Sequence, residues 1–353
     1  MPSTSVHASV CILGGGPSAL LCNVLLRQNG VTPLLVANAF YGMLSPFQHR
    51  GLSFTAIPVF ANVDSPLYQR MRGTDVGADP LRVHYVDYDG PTPNAEPDRD
   101  SYGAFLRIRY GEDSFAVGLA AKHLGPIVHS HELPELRSKV LRHYGTATPR
   151  ASRLGFLEGM SPYYVYIQQH LALLELVPER IDAIDLREHT VLTSSRRIEY
   201  DRLICTIPFA QFLALARVHS NLRVETGDAR FMVLETHDDA VPNDLVYDCR
   251  SSSPVYRVFV PRRGIAVVQM ARSSWHEPPD AIAQRVRELL GFEHSPRVVS
   301  TLDTLGCYPL GVSDYSEKAQ LMAMLRSHEV TMFGRFAQWE YRDLDELDWG
   351  GVL

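Results

Sequence analysis

The chain has no long basic run, no Cys-x-x-Cys spacing and no apolar stretch near the roughly 18 uninterrupted residues that a membrane-crossing helix needs. Lys plus Arg number 34 against 40 Asp plus Glu, a formal net charge of −6. That balance lacks the electrostatic footprint of a nucleic-acid binder. Five scattered cysteines, Cys11, Cys22, Cys205, Cys249 and Cys307, exclude a disulfide scaffold and read as reduced thiols packed as small hydrophobes in a cytoplasmic protein. The opening MPSTSVHAS has no charged region leading into an apolar core, so export is not expected. Glycine (24) and proline (23) are at ordinary levels beside 45% apolar residues, which excludes collagen-like and disordered classes. What remains is a globular chain of 353 residues, long enough for about two domains. Its expected partner is a small-molecule substrate, with neither nucleic acid nor membrane; a homodimer is possible.

The first 38 residues read as strand, Gly-rich turn, helix, strand. An apolar run Val10 to Leu13 meets Gly14-Gly15-Gly16, and Leu20, Leu21, Val24 and Leu25 then fall on one helical face that stops at Gly30. A second apolar run, Pro33 to Ala37, follows at once. This is the start of a doubly wound parallel sheet. Residues 87 to 100 are rich in Pro, Asp and Gly and mark an exposed loop, residues 112 to 145 read as largely helical, and Val165 to Leu176 has helical spacing. Short strands are expected around Ile181 to Leu186, Val191 to Thr193, and Arg202 to Thr206. A second, mainly antiparallel sheet follows at Phe231 to Glu235, Val255 to Val260 and Ile265 to Met270, the last two joined by the turn Pro261-Arg262-Arg263-Gly264. A helix at Ala281 to Leu290 and a strand at Val330 to Phe333 complete the pattern.

Gly14-Gly15-Gly16-Pro17-Ser18-Ala19 fits the form GxGxxG/A between a strand and a helix. The first glycine permits the tight turn, the second lets a pyrophosphate approach the backbone, and the third position needs only a small residue. The uncapped helix start, with its N–H groups and positive dipole end, suits phosphates. An acidic residue is expected about 20 positions on to bond a ribose. The second strand instead ends Val36-Ala37-Asn38-Ala39, leaving Asn38 as the nearby side chain able to bond a hydroxyl. At the far end, Gly334-Arg335-Phe336-Ala337-Gln338-Trp339-Glu340-Tyr341-Arg342-Asp343-Leu344-Asp345 follows a strand. The glycine permits close backbone approach, the arginine offers a fork for phosphate or carboxylate, and Trp339 and Tyr341 offer flat surfaces to a ring. His129-Ser130-His131-Glu132 lacks a further Cys or His at zinc spacing, so no metal site is expected. His49 reads either as an acid, base or ring contact or as a loop histidine bonded to backbone.

With both motifs present, the sequence resembles the flavoprotein superfamily of amine oxidases, protoporphyrinogen oxidase, phytoene desaturases and UDP-galactopyranose mutase. The closing string is similar to the superfamily's Gly-Arg-x-x-x-aromatic-x-Tyr-x-Asp-Met-Asp, with Leu344 in the Met position. Ile181-Asp182-Ala183-Ile184, the strand Tyr200 to Pro208, Val246-Tyr247 with Pro254 to Arg257, and Tyr308-Pro309 resemble its middle signposts in the same order. The resemblance implies a Rossmann-like FAD-binding α/β domain from residues 1–80, 177–220 and 300–353. A mainly antiparallel and helical substrate domain would come from 81–176 and 221–299. It implies FAD as cofactor, with Gly14, Gly15, Gly16, Ser18, Asn38, Ile181, Gly334, Arg335 and Asp345 around it. Arg257 would bind substrate, and His49, Tyr308, Trp339 and Tyr341 would stand at the reacting centre. The implied activity is an FAD-dependent oxidoreductase acting on a C–N or C–C unit of a small organic substrate in biosynthesis, in specialised metabolism. A mutase-like non-redox flavin enzyme and a flavin-free protein of the same fold are the alternatives. Two departures stand out: Ala37 in place of the superfamily's Glu, and Gly42-Met43-Leu44-Ser45 in place of its Gly-Gly turn. The string is followed by only the residues up to Leu353, so any helix after it is expected to be short.

Overall fold

The computed structural model describes residues 4–71, 79–86, 153–237, 240–248, 250, 253–340 and 342–353. The expected loop at 87–100, the helical stretch at 112–145, the His129 to Glu132 cluster, Cys249 and Tyr341 lie outside the described residues. In chain order the elements are β1 (Thr4–Leu13), α1 (Pro17–Gln28), β2 (Leu34–Val36), β3 (Pro46–His49), β4 (Leu52–Thr55), β5 (Ala61–Asn62), α2 (Pro66–Arg70) and β6 (Arg82–Val86). Then come β7 (Arg153–Leu154), α3 (Pro162–Gln169), β8 (Glu175–Val177), β9 (Ile181–Asp185), β10 (Thr190–Thr193), β11 (Arg196–Cys205), α4 (Phe209–Leu215) and β12 (Val224–Glu235). The last are β13 (Asp244–Asp248), β14 (Val255–Arg262), β15 (Ile265–Met270), α5 (Pro279–Leu290), β16 (Arg297–Val312), α6 (Tyr315–Ser327) and β17 (Val330–Met332).

The first sheet runs β8-β2-β1-β11-β10-β9, with β17 also paired to β11. Strands β8, β2, β1, β11 and β17 pair in parallel, and β9 and β10 add an antiparallel edge. The end of β1 is buried on both faces, with Cys11, Ile12 and Leu13 fully covered, as the central strand of a parallel sheet requires. Helix α1 lays Leu20, Leu21, Val24 and Leu25 against that sheet and ends at Gly30, whose φ of 82° is open to glycine.

The second sheet runs β16-β12-β15-β14-β13-β6 and is antiparallel except between β13 and β6. Helix α5 covers one face through Ile282 and Val286 packed on Val258, Val260 and Val268. The other face carries Phe231, Val233, Val267 and Leu310 against Phe54 of the β3–β4 hairpin. That face looks toward the first half of the chain.

Two expectations change. The helix expected over Val165 to Leu176 ends at Gln169, and Glu175–Val177 becomes β8. The open edge of β2 takes Leu34 to Val36 into register with these residues, and backbone pairing overrides local helical spacing. Strand β16 spans 16 residues, so residues 300 to 312 extend the second sheet before the chain returns to the first at β17. No helix among the described residues is long and apolar enough to cross a membrane.

Candidate functional site

The three opening glycines do three different jobs. A Cβ on Gly14, whose φ is 109°, would lie 2.3 Å from Thr206 Oγ1, and one on Gly15 would lie 1.9 Å from the Ala39 carbonyl oxygen. Tyr41 N–H also donates to Gly15 C=O at 2.7 Å, so the segment after β2 is folded tightly onto the turn. A Cβ on Gly16 would meet nothing within 4 Å. Gly16 is the N-cap of the twelve-residue α1 and no side chain caps that end. The helix start therefore opens into free space with unsatisfied N–H groups and the positive end of its dipole. On its rim stands Gly334 with φ 98°, where a Cβ would come 2.9 Å from Ser18 Oγ. Residues 316 positions apart in sequence thus meet at one cradle, the first motif against the last.

From Gly334 the closing string turns inward. Arg335 Nε donates to Arg342 C=O at 3.0 Å and its Nη2 to Asp343 Oδ1 at 3.4 Å, while its guanidinium stands 5.9 Å from the Tyr308 ring centroid. Asp343 also lies 3.9 Å from Arg153 Nη2. Asp345, two residues on, is pushed up to about 6, first by burial and then by the Asp343 carboxylate, with Arg153 pulling the other way. Tyr163 is fully buried beside these acids, and burial followed by their charge raises its hydroxyl well above the usual range. The Asp345 value in the folded chain lies above its unfolded value of about 3.9. Its stabilising effect is therefore complete below that lower value and is lost as pH rises through about 6. Asp345→Asn should gain stability relative to the parent chain between pH 4 and pH 7.5, read as urea midpoints. A midpoint difference independent of pH would contradict this.

Beyond Arg335 lies the inner face of the second sheet. Tyr308 accepts from Gln269 Nε2 at 3.2 Å, and Gln269 Oε1 accepts from Arg257 Nε at 2.8 Å. Arg257 Nη1 reaches Tyr247 Oη at 3.4 Å, across the β13–β14 pair where the two residues are in direct register. A bulge aims Arg257 here. Val255 pairs with Met270 but Arg257 pairs with Gln269, so Tyr256 is an extra residue in β14. Regular alternation would put Arg257 on the same face as Val255, under α5; the bulge turns it to the opposite face. Burial works against the charge on Arg257, but Tyr247, Tyr256 and Tyr308 outweigh it and raise its pKa further, so the guanidinium is a permanent cation. Burial also pushes the neighbouring Cys307 thiol up to about 12, which leaves it protonated and inert at neutral pH.

The structure brings Gly14, Gly15, Gly16, Ser18, Gly334, Arg335, Asp345, Tyr308 and Arg257 into one continuous band. Asn38 is exposed at the end of β2, where Ala37 N–H donates to Val177 C=O at 3.1 Å, and Ile181, partly buried, opens β9 and pairs with Thr193 of β10 at the other edge of the sheet. Trp339 is not brought to the band. It is 4% exposed and its indole N–H donates to Gly311 C=O at 2.7 Å, so its ring is committed to the core of the first sheet. His49 also sits apart, 3.8 Å from Glu235, which bonds Arg50 and Arg297. Glu235 is eight residues along β12 from Gly227, the partner of Tyr308, or about 26 Å at the strand rise. Sequence reasoning missed Arg153 and Gln269, whose only signal was their residue type, while Tyr163, at the start of α3, is the core residue its place in a tyrosine cluster suggested.

The two sheets and the Gly-rich turn define a Rossmann-like α/β fold joined to a second, mainly antiparallel sheet. No family model and no curated protein matches the sequence. Solved structures do. Reduced UDP-galactopyranose mutase matches with a TM-score of 0.61 at 15% identity, over 96% of this chain and 91% of that one. Putrescine oxidase bound to putrescine matches at 0.63 and 13% identity over 99% of each chain, and the CLA-producing fatty acid isomerase from P. acnes at 0.61 and 14% over 96% of each. The chain has the fold of the amine-oxidase-like flavoproteins that its first and last motifs resemble.

Proposed function

We propose that the protein is an FAD-dependent oxidoreductase that oxidises a C–N or C–C unit of a small organic substrate in specialised metabolism. The observation that carries this reading is the open cradle at Gly16 and Ser18 with Gly334 pressed against it. The residues fit the cofactor's pyrophosphate: there is space where a Cβ would stand, an uncapped helix start supplies N–H donors, and Arg335 follows the rim. At the ribose, Asn38 replaces the usual carboxylate and offers a neutral bond. By the resemblance, the Ile181 backbone would meet the adenine, and Arg335 and Asp345 would border the ring system. When bound, the flavin would accept a hydride from the substrate. The chain's own contribution is positional. Tyr308, Gln269 and Arg257 orient the substrate, and the apolar residues of the β3–β4 hairpin limit water on the inner face. A division into an FAD domain on the first sheet and a substrate domain on the second belongs to the same reading, with Glu175–Val177 falling to the first and Arg297–Val312 to the second rather than by the bounds expected from the sequence. A cytoplasmic setting is part of it too, supported by the buried free thiols of Cys11, Cys22, Cys205 and Cys307.

The test is the absorption spectrum of the freshly purified protein. A yellow preparation with oxidised-flavin bands, releasing FAD on denaturation, is the expected result. Colourless protein that takes up no added FAD would overturn the reading and favour the flavin-free alternative.

A further inference from the structure

Arg82, Arg230 and Arg297 of the second sheet are matched by Asp244, Asp303 and Glu235, and Arg272 and Arg285 beside it by Asp228 and Asp248. Arg262, at the end of β14, donates to the Ser53 carbonyl. Arg257, in the middle of the inner face, has no carboxylate. Among the described residues its partners are the neutral side chains Gln269 and Tyr247, with the rings of Tyr247 and Tyr256 about it, and no carboxylate pairs with it. A partly buried cation without a counter-charge is costly to hold. A bulge nevertheless turns it toward the inner face, away from a core it would otherwise disturb. From this pairing deficit and this aim we infer that the substrate is a monocarboxylic acid, its carboxylate seated on the outer N–H groups of Arg257 next to the Tyr247 hydroxyl.

Charge matching selects one negative charge. Nε of Arg257 is used by Gln269 and one N–H of Nη1 by Tyr247, which leaves an N–H on Nη1 and those of Nη2 for two parallel bonds to one carboxylate. The neighbouring cations are already balanced, Arg335 by Asp343, and Arg153 by Asp343 with Asp345 nearby. A phosphate dianion would thus face one unmatched cation, and an amine would face Arg257 with no acid to receive it. The inference rests on the substrate site proposed above and narrows its substrate class to an acid.

The test is calorimetric titration of the full-length protein, with whatever cofactor it carries, using acetate, benzoate, benzamide, phenyl phosphate and benzylamine. A carboxylate probe should bind one per chain, and Arg257→Gln should weaken it roughly 30-fold or more, as expected for charge-assisted bonds. Tyr247→Phe should weaken it by a smaller factor. Phenyl phosphate should bind no tighter than benzoate, and benzylamine should not bind. Where Arg257→Gln does not fold, the parent chain decides through benzoate against its neutral isostere benzamide, expected at least roughly 30-fold apart. The inference is overturned if neither carboxylate binds, if Arg257→Gln or benzamide binds equally well, or if phenyl phosphate or benzylamine is preferred. The visible spectrum of the same sample reads the cofactor separately. Colourless protein that still needs Arg257 for benzoate defeats the flavin reading alone, and yellow protein indifferent to Arg257→Gln defeats this inference alone.

Discussion

Gly15→Ala is expected to cripple the fold, and Gly16→Ala, one residue on, to leave it standing while the proposed FAD binding is lost. At Gly15 the new methyl would sit 1.9 Å from the Ala39 carbonyl oxygen and 2.9 Å from its carbon. Both are backbone atoms, and the segment carrying them is fastened by Tyr41 N–H to Gly15 C=O. Nothing flexible can give way, so overpacking at the upper end, about 3 kcal/mol or more, is expected. For a chain of this size that lowers Tm by roughly 6 °C or more. Gly16 has φ −74° and ψ 177°, which any residue adopts, and no neighbour within 4 Å of the added atom. The loss there is at most the N-cap preference of glycine over alanine, about 1 kcal/mol. The methyl would, however, stand in the open space proposed for the cofactor's pyrophosphate. Losing one or two charge-assisted N–H bonds of about 1.5–3 kcal/mol each weakens FAD roughly 100-fold. Thermal melts of both variants, with FAD titrations of Gly16→Ala, check the pair. Equal melts for Gly15→Ala and the parent chain would show that the segment after β2 is not packed as described.

Trp349→Ala should be the most destabilising change outside the glycine turn. The indole is 1% exposed, lies edge-on to Phe333 at 4.7 Å between ring centroids, and donates through Nε1 to Leu344 C=O at 2.8 Å. Truncating a buried tryptophan leaves a large cavity and an orphaned carbonyl, about 3–5 kcal/mol in total. The effect reaches the site because the Leu344–Glu346 turn carries Asp345 and follows Asp343, the partner of Arg335. Urea unfolding should show the fall in midpoint. In addition, the pH dependence assigned to Asp345 should weaken, since a loosened turn lets water reach that carboxylate. Trp349→Phe should recover most of the stability, as the ring contact with Phe333 is retained.

Much of the architecture was legible in the sequence. The apolar run, three glycines and amphipathic helix at the start specify a strand-turn-helix unit through local sterics and periodicity, and the helix stops at Gly30 as read. The β14–β15 hairpin was equally local. Harder were elements defined by partners far away. Glu175–Val177 is a strand because β2 has an open edge beside it, and β16 mixes exposed and partly buried residues before six buried ones, Cys307 to Val312, over a length that no local signal announces. Aromatic character misled at Trp339: its flat ring suggested a ligand contact, but the carbonyl of Gly311 and the core beneath claim it.

The sequence by itself determined that a glycine turn opens a parallel sheet, that a second glycine-arginine string closes the chain, and that no acidic residue ends β2. Each follows from residue type and spacing within a few positions. Only the tertiary structure decided that Gly334 comes to Ser18, that His49 is remote, and that Arg257 leaves the helix-covered core for the inner face. The last of these depends on one extra residue in β14, Tyr256, set against its neighbour strand. A strand's two faces are distinguished only by counting residues against a partner, so a bulge that shifts the count reverses the outcome without altering any local pattern.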